Sequence, residues 1–313
     1  MNLYLYILRR VLYTIPTIIG VTFFIFVMFN LVAGDPAKIL LGKYASAKQI
    51  AELRHELGLD KPFVGQYLDV LKSALTFNFG NSWSSKQSIS HMLKNSGMVS
   101  LSLSLPGFLL GNVLAICIAF IAVVFRGTWI DKMLVVLCTL LVSISALTYI
   151  LLGQWFFSYK LGWFEINGYE YGFPNFIPYI ILPSLILMIL NIGYDMRFYR
   201  AVLLEEIYKD YVRTAMAKGL SLNVVLFKHV LRNALIPILT NIFMNLPSLI
   251  LGTLLLENFF SIPGLGGVLI KAIGTSDFPV IKATTIVVSI LYIVFNLLID
   301  LLYMVADPRV KLK

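Results

Sequence analysis

The chain has 313 residues, of which 59% are apolar and 13% charged, and its formal net charge is +9. Soluble domains carry roughly 45–50% apolar and about 25% charged residues, and buried core helices seldom need more than about 14 consecutive apolar residues. A soluble protein is therefore excluded in favour of a membrane protein. A nucleic-acid binder is disfavoured because the basic residues form no single stripe.

The N-terminus, residues 1–10, resembles a signal-peptide n-region. The apolar run that follows, Val11 to Val32, outlasts the about 7–15 residues of a typical h-region. A retained first span that doubles as insertion signal is expected. Six segments are expected to cross the bilayer: 11–32, 99–125, 133–157, 176–196, 234–256 and 280–305. Pro106, Pro178, Pro183, Pro237 and Pro247 fall in or near them. Membrane helices tolerate proline, so these positions read equally as kinks along a pathway or as ordinary residues. Cys117 and Cys138 lie inside apolar runs and are expected to be inert thiols, not a disulfide.

The first connection, 33–98, contains its own helical signals. Ser46 and Gln49 have capping-box spacing, which predicts a helix from Ala47. Ile50, Leu53 and Leu57 recur at helical spacing, Gly58 supplies a stop, and Pro62 bars continuation. A second amphipathic stretch, Val64–Leu75, follows. These predict a small helical cap on the outer face.

The fourth connection, 197–233, is too polar to span. Asp210 is expected to cap a short helix, Tyr211–Lys218, with Gly219 ending it in a left-handed conformation. Ser221 is expected to cap a further helix running to the fifth span. A short helix with sharp ends suits docking into a partner's groove. Arg213 and Lys218 equally suit an interfacial helix on anionic lipid. The residue types alone leave both readings open.

Orientation follows from the short connections. Arg9, Arg10, Arg126, Lys132, the basic residues of 197–233 and Arg309, Lys311 and Lys313 share one side, whereas the third and fifth connections hold only Lys160 and Lys271. Both termini are expected to be cytoplasmic. The first connection exceeds about 60 residues, a length that translocates largely regardless of charge.

Catalytic constellations are absent from the sequence. It contains no G-x-x-x-x-G-K-[ST] phosphate loop and no Ser/His/Asp, Cys/His or H-E-x-x-H arrangement. His55, His91 and His229 are scattered without metal-ligand spacing. Asp195, Glu257 and Asp300 are the acids expected nearest the membrane, and interfacial pairing or snorkelling is the expected role of each. The glycine-rich loop 257–281 contains Ile262-Pro263-Gly264. It is read as a re-entrant turn at the outer mouth, with Pro263, Gly264 and Gly266 as an outer gate.

Residues 209–239, from Lys209-Asp210-Tyr211 to Ile238-Leu239, resemble the cytoplasmic signature of ABC importer permeases of the dipeptide/oligopeptide/nickel branch. Segments 34–42, 50–62, 161–169, 257–281 and 307–311 look like further motifs of that branch, in the same order and spacing. The resemblance implies an all-α polytopic fold of about six transmembrane helices, the ABC type I importer fold, with an extracytoplasmic helical segment after the first span. The implied division is 1–32, cytoplasmic N-terminus and first span; 33–93, extracytoplasmic segment; 94–305, a five-span core; and 306–313, cytoplasmic tail. Residues 210–219 would be the coupling helix that sits in a cleft of an ATPase. Asp210, Tyr211, Arg213, Thr214, Ala215, Ala217, Lys218 and Gly219 are its candidate contact residues. Against the broad family's E-A-A-x-x-x-G pattern, Arg213, Thr214 and Ala215 take the first places and Gly219 the last. The glutamate is absent, as is common in the peptide branch, and the later proline is replaced near Arg232–Asn233.

The implied partners are a second, similar permease, two ATP-binding subunits, an extracytoplasmic solute-binding protein and membrane lipid. The chain itself would hold no cofactor, with ATP and magnesium on the ATPase subunits. The implied role is a transport subunit, not an enzyme, in a bacterial inner membrane. It would move di- or oligopeptides, or else nickel chelates or another solute. An ion-gradient-driven secondary transporter is the rival class; it would need charges at mid-membrane and matched broken spans.

Overall fold

The computed structural model describes residues 3–32, 36–41, 45–56, 58–247, 249 and 253–306. The 307–311 motif and the tail arginine and lysines lie outside these residues, as do positions 34, 35 and 42 of the 34–42 motif and Leu57. Among the described residues regular structure is helical, apart from one isolated bridge between Asn81 and Ser88.

Among the described residues four helices are long and apolar enough to cross a bilayer. They are α1 (Leu3–Val32), α5 (Ile89–Val124), α8 (Ile177–Ile207) and α14 (Phe278–Ala306). The expected third span is a bent pair, α6 (Trp129–Ser143) and α7 (Ala146–Gly153, continued as a π-helical stretch to Lys160), whose axes meet at 89°. No proline causes the bend. Ile144 and Ser145 are both extended, and the Tyr149 hydroxyl donates to the carbonyl of Leu141 at 2.8 Å. That bond satisfies an orphaned carbonyl of the kind a break in a membrane helix must repair. Helices α5 and α8, by contrast, run unbroken through Pro106 and Pro183. The expected fifth span is represented by α11 (Leu231–Asn245) and α12 (Leu254–Phe259); residues 248 and 250–252 between them lie outside the described residues.

The chain divides into two compact units, residues 1–98 with 264–298, and residues 99–263 with the end of the chain. The first contains α1, α2 (Pro36–Leu41), α3 (Ala47–Glu56), α4 (Phe63–Thr76) and α13 (Leu265–Gly274). The capping box at α3 is reciprocal: Gln49 N–H donates to Ser46 Oγ at 3.3 Å, and Ser46 N–H to Gln49 Oε1 at 3.0 Å. Gly58 then turns left-handed, at φ +66°. The outer segment is helical, but α4 does not sit beyond the end of α1 as a cap. It packs along it. The Tyr67 hydroxyl donates to the carbonyl of Ile19 at 2.9 Å, and the rings of Phe63 and Tyr67 meet those of Phe23 and Phe26 edge-on or tilted. The same face buries Val70 and Ala74 with Ile25, Phe26 and Ile286. Val64, Leu68 and Leu75, on the other face, are exposed, which suits contact with lipid.

The second unit is organised by α8, which packs against α6, α7 and α11. Small residues allow the close approach, as in membrane bundles generally. A Cβ on Gly193 would stand 2.7 Å from the Cys138 carbonyl oxygen, and one on Gly107 2.5 Å from that of Ser184. Ser184 Oγ donates to the Leu103 carbonyl at 2.7 Å in the same contact. Beyond residue 196, where the sequence predicts the fourth span to end, α8 continues for three further turns because Tyr199, Leu203 and Ile207 still bury one face.

Candidate functional site

The end of α8 is tied to its neighbours by charge. Arg200 donates from Nε and Nη2 to the two oxygens of Asp131, both at 2.8 Å, and the Gly127 N–H donates to Asp131 Oδ2 at 3.1 Å. Asp131 is 5% exposed. In the sequence Arg200 looks like one more topology-setting charge and Asp131 carries no signal, because the two partners stand 69 residues apart. A bidentate arginine–carboxylate pair fixes geometry as well as charge.

Two residues after α8 the chain enters α9 (Asp210–Ala217). Asp210 does not cap this helix. It is the first helical residue; Lys209 holds the boundary in an extended conformation, and no side chain caps the end. The Asp210 side chain is 97% exposed and lies 3.8 Å from Arg213. The angle of α9 is set instead by Glu206, a residue that no motif or spacing in the sequence marks. Glu206 accepts from Lys209 Nζ through one oxygen and from the Tyr211 hydroxyl at 2.7 Å through the other. Burial first, and then the adjacent Glu206 carboxylate, hold the Tyr211 hydroxyl above the usual tyrosine range against the opposing effect of Asn233. It therefore stays a donor.

At the far end, Gly219 adopts φ +84°. Its N–H bonds the Met216 carbonyl at 2.9 Å and the N–H of Leu220 reaches back to Ala215 at 3.4 Å, the pattern of a left-handed helix stop. Ser221 follows; its carbonyl accepts the N–H of Val225 at 3.1 Å as α10 (Leu222–Val225) leads through a π-helical stretch, Leu226–Val230, into α11.

The helix has two faces. Val212 and Ala215 are buried, packed into a core with Tyr199, Leu203, Val225 and Leu226. Arg213, Thr214, Met216, Ala217, Lys218 and Gly219 are exposed, and Leu220, Leu222 and Phe227 add apolar surface beside them. The result is a short, rigidly held knob with a basic and apolar outer face. Among the described residues no group of three His, Cys, Asp or Glu could hold a metal ion.

The proposed gate residues lie at a break between helices. Ile262 N–H bonds the Glu257 carbonyl at 2.8 Å as the chain leaves α12. Gly264 is the boundary residue of α13, with extended backbone, and Gly266 lies within the helix. The chain turns through residues 260–264 between the two helices, with Pro263 half-buried in the turn and Gly264 at its end. The loop after α7 is tied to the end of α12: the Gly168 N–H donates to Phe260 at 2.9 Å, and the Gln154 amide bridges the carbonyls of Ile166 and Phe259.

The membrane acids differ from expectation. Glu257 is fully buried and accepts from Ser100 at 2.6 Å and Thr253 at 2.7 Å. Asp195 does not pair with Arg197, whose Nε donates to the Gly193 carbonyl. It is buried and accepts from Asn241 at 3.4 Å, where it lines a cavity of about 180 Å³ with Asn191 and Tyr194. Both acids are met by polar side chains inside the bundle, Glu257 by Ser100 and Thr253 and Asp195 by Asn241.

Residues 107–312 match the family described as the inner membrane component of binding-protein-dependent transport systems, and residues 3–104 match the N-terminal region of such membrane components. A protein of Brucella abortus named as a peptide transport system permease is 36% identical over 308 residues, covering 97% of this chain and 98% of that protein. A dipeptide transport system permease of Alkalihalophilus pseudofirmus is 31% identical over 329 residues, covering 98% and 99%. A glutathione transport system permease of Salmonella typhimurium is 33% identical over 308 residues, again covering 98% and 99%.

Proposed function

This chain belongs to the family of inner membrane components of binding-protein-dependent transport systems, and from that premise we propose that it is the permease subunit of an ATP-driven importer of short peptides. The observation that carries the proposal is full-length similarity to permeases named for peptides, dipeptides and glutathione; a short helix at Asp210–Ala217, exposed on one face and tied to Glu206, supports it as the place where a partner would dock.

The chain supplies the pathway, and energy enters through separate subunits that bind ATP and magnesium. Two such subunits, a second permease and an extracytoplasmic binding protein complete the assembly. The α9 side is cytoplasmic and both termini lie on that side, in keeping with the distribution of lysine and arginine. Closure of the ATPase dimer pushes α9, and the Glu206 bonds convey that movement to α8. The spans then rock between inward- and outward-open states, a two-state element biased by ligand. Pro263, Gly264 and Gly266 lie at the outer end of this movement.

Co-purification tests the reading. The ATPase subunits come down with the native chain and are lost from a Met216→Asp, Ala217→Asp variant that still reaches the membrane. Retention of the subunits by that variant, or uptake by the purified chain alone on an ion gradient, overturns it.

A further inference from the structure

The first unit encloses a cavity of about 390 Å³ between the end of α1, the flank of α4 and the start of α14. The end of α1 and the start of α14 belong to the same side of the membrane, since the two spans meet there as antiparallel neighbours of one cavity. Lys282 lies on its wall, one turn inside the apolar stretch of α14. Lys282 is half-buried and has no hydrogen bond or ion pair among the described residues. The acid on the same wall, Asp69, is already bonded to Lys61 at 2.5 Å. A cation in a membrane span that faces a cavity and has no counter-ion among the described residues marks a functional site by default.

The remaining walls narrow the occupant. Phe79, Trp83 and Phe278 supply aromatic surface. Asp277 fixes this wall: its carboxylate accepts from Ser82 Oγ at 2.5 Å and from the N–H groups of Trp83 and Ser84, which sets Trp83 against Phe278 with ring centroids 6.3 Å apart. Gln66 donates both amide hydrogens to the carbonyls of Leu59 and Lys61, so its oxygen is left as an acceptor. The wall thus offers one cation, an amide acceptor and aromatic faces.

We infer that this cavity binds the carboxylate end of a peptide, with Lys282 on the carboxylate, Gln66 Oε1 on a peptide N–H and the aromatic wall on a side chain. The assignment rests on the peptide reading above and adds a substrate contact within this chain. A lipid phosphate offers Lys282 the same charge but no peptide N–H for Gln66.

Thiol protection in the assembled transporter tests it. Ser73 lines the cavity, so a Ser73→Cys variant with Cys117→Ala and Cys138→Ala reports occupancy through its rate of labelling by a maleimide. The probes are alanyl-phenylalanine and its C-terminal amide, in nanodiscs with and without anionic lipid. The free acid slows labelling, and the amide needs about tenfold or more higher concentration, the loss expected for a charge-assisted bond. Lys282→Gln abolishes the difference and Lys282→Arg keeps it. Equal protection by acid and amide, protection that follows anionic lipid content, or a Ser73→Cys that no reagent reaches overturns the site. ATP-driven uptake of alanyl-phenylalanine by the same preparation with its binding protein separates the two readings. Uptake without acid–amide discrimination at Ser73→Cys sinks only the site, and no uptake of any peptide sinks the peptide reading.

Discussion

The Tyr211 hydroxyl donates to Glu206 Oε2 at 2.7 Å, across the two-residue break between α8 and α9. Lys209 takes the other oxygen of the same carboxylate. One buried side chain thus sets the angle between a span and the exposed helix that follows it. If α9 conveys movement, a rigid joint is required, because a loose one absorbs displacement locally. Tyr211→Phe removes one bond to a carboxylate, worth about 1.5–3 kcal/mol, without changing the exposed face. The expected outcome is retained ATPase binding with ATP hydrolysis less tightly coupled to uptake, read as a higher ratio of phosphate released to peptide imported. Glu206→Gln should loosen the joint further, since it also removes the charge that holds Lys209. An unchanged ratio in both variants would show that the joint does not carry coupling.

Asp131 and Arg200 join the start of α6 to the end of α8, with side chains 7% and 25% exposed. Removing one partner of a buried ion pair leaves an uncompensated charge and costs about 3–5 kcal/mol, whereas replacing both costs less. Arg200→Met should therefore lower the melting temperature of the detergent-solubilised chain more than Arg200→Met with Asp131→Leu. Arg200→Lys should fall between them and native, because lysine cannot make the two parallel bonds.

These joints mark the limit of what the sequence reveals. Helical periodicity and length locate the first, second, fourth and last spans, and the Ser46–Gln49 box and Gly219 announce their helix ends through chemistry confined to a few neighbours. The bend at Ile144–Ser145 escapes such reading. It depends on Tyr149 reaching back to the Leu141 carbonyl, a bond that no periodicity encodes, and no proline flags it. Asp131 and Arg200 stand far apart in sequence, and each alone looks like an ordinary loop charge. Glu206 is near Tyr211, but its role requires knowing that the helix ends at Ile207 and turns. At the candidate docking helix, the position and the glycine stop are legible and the cap is not: the choice between Lys209 and Asp210 as boundary is made by Glu206, which draws Lys209 back toward α8.

Gly193 places α8 against α6 so closely that an added Cβ would lie 2.7 Å from a carbonyl oxygen and 2.8 Å from Val142. The Val142 side chain can turn away, but the Cys138 backbone belongs to a helix and cannot. Overpacking of this kind costs about 1–3 kcal/mol. Gly193→Ala should lower the melting temperature, and Gly193→Val should lower it further or abolish membrane accumulation. A control at Gly20, where nothing lies within 4 Å, should leave both unchanged as Gly20→Ala.

Asp277 gives the first unit a pH dependence. Its carboxyl is buried, which by itself would raise its pKa, but hydrogen bonds from Ser82 and from the backbone of Trp83 and Ser84 outweigh burial and hold it below the usual aspartate range. A pKa lower in the folded than in the unfolded chain means that the folded state prefers the ionised form. The stabilisation is therefore complete above the unfolded value of about 3.9 and is lost as pH falls through the folded value. Asp277→Asn should remove about 2 kcal/mol at neutral pH, the scale of hydrogen bonds to a buried carboxylate. Hydrogen exchange at the Trp83 and Ser84 amides, corrected for intrinsic rates, reads the effect locally. Native protein should keep protection at these two amides from neutral pH down to about 4 and lose it below, whereas Asp277→Asn should show reduced protection that no longer changes with pH. Equal protection in the two proteins at neutral pH would mean that the loop is held by its own turn and not by Asp277.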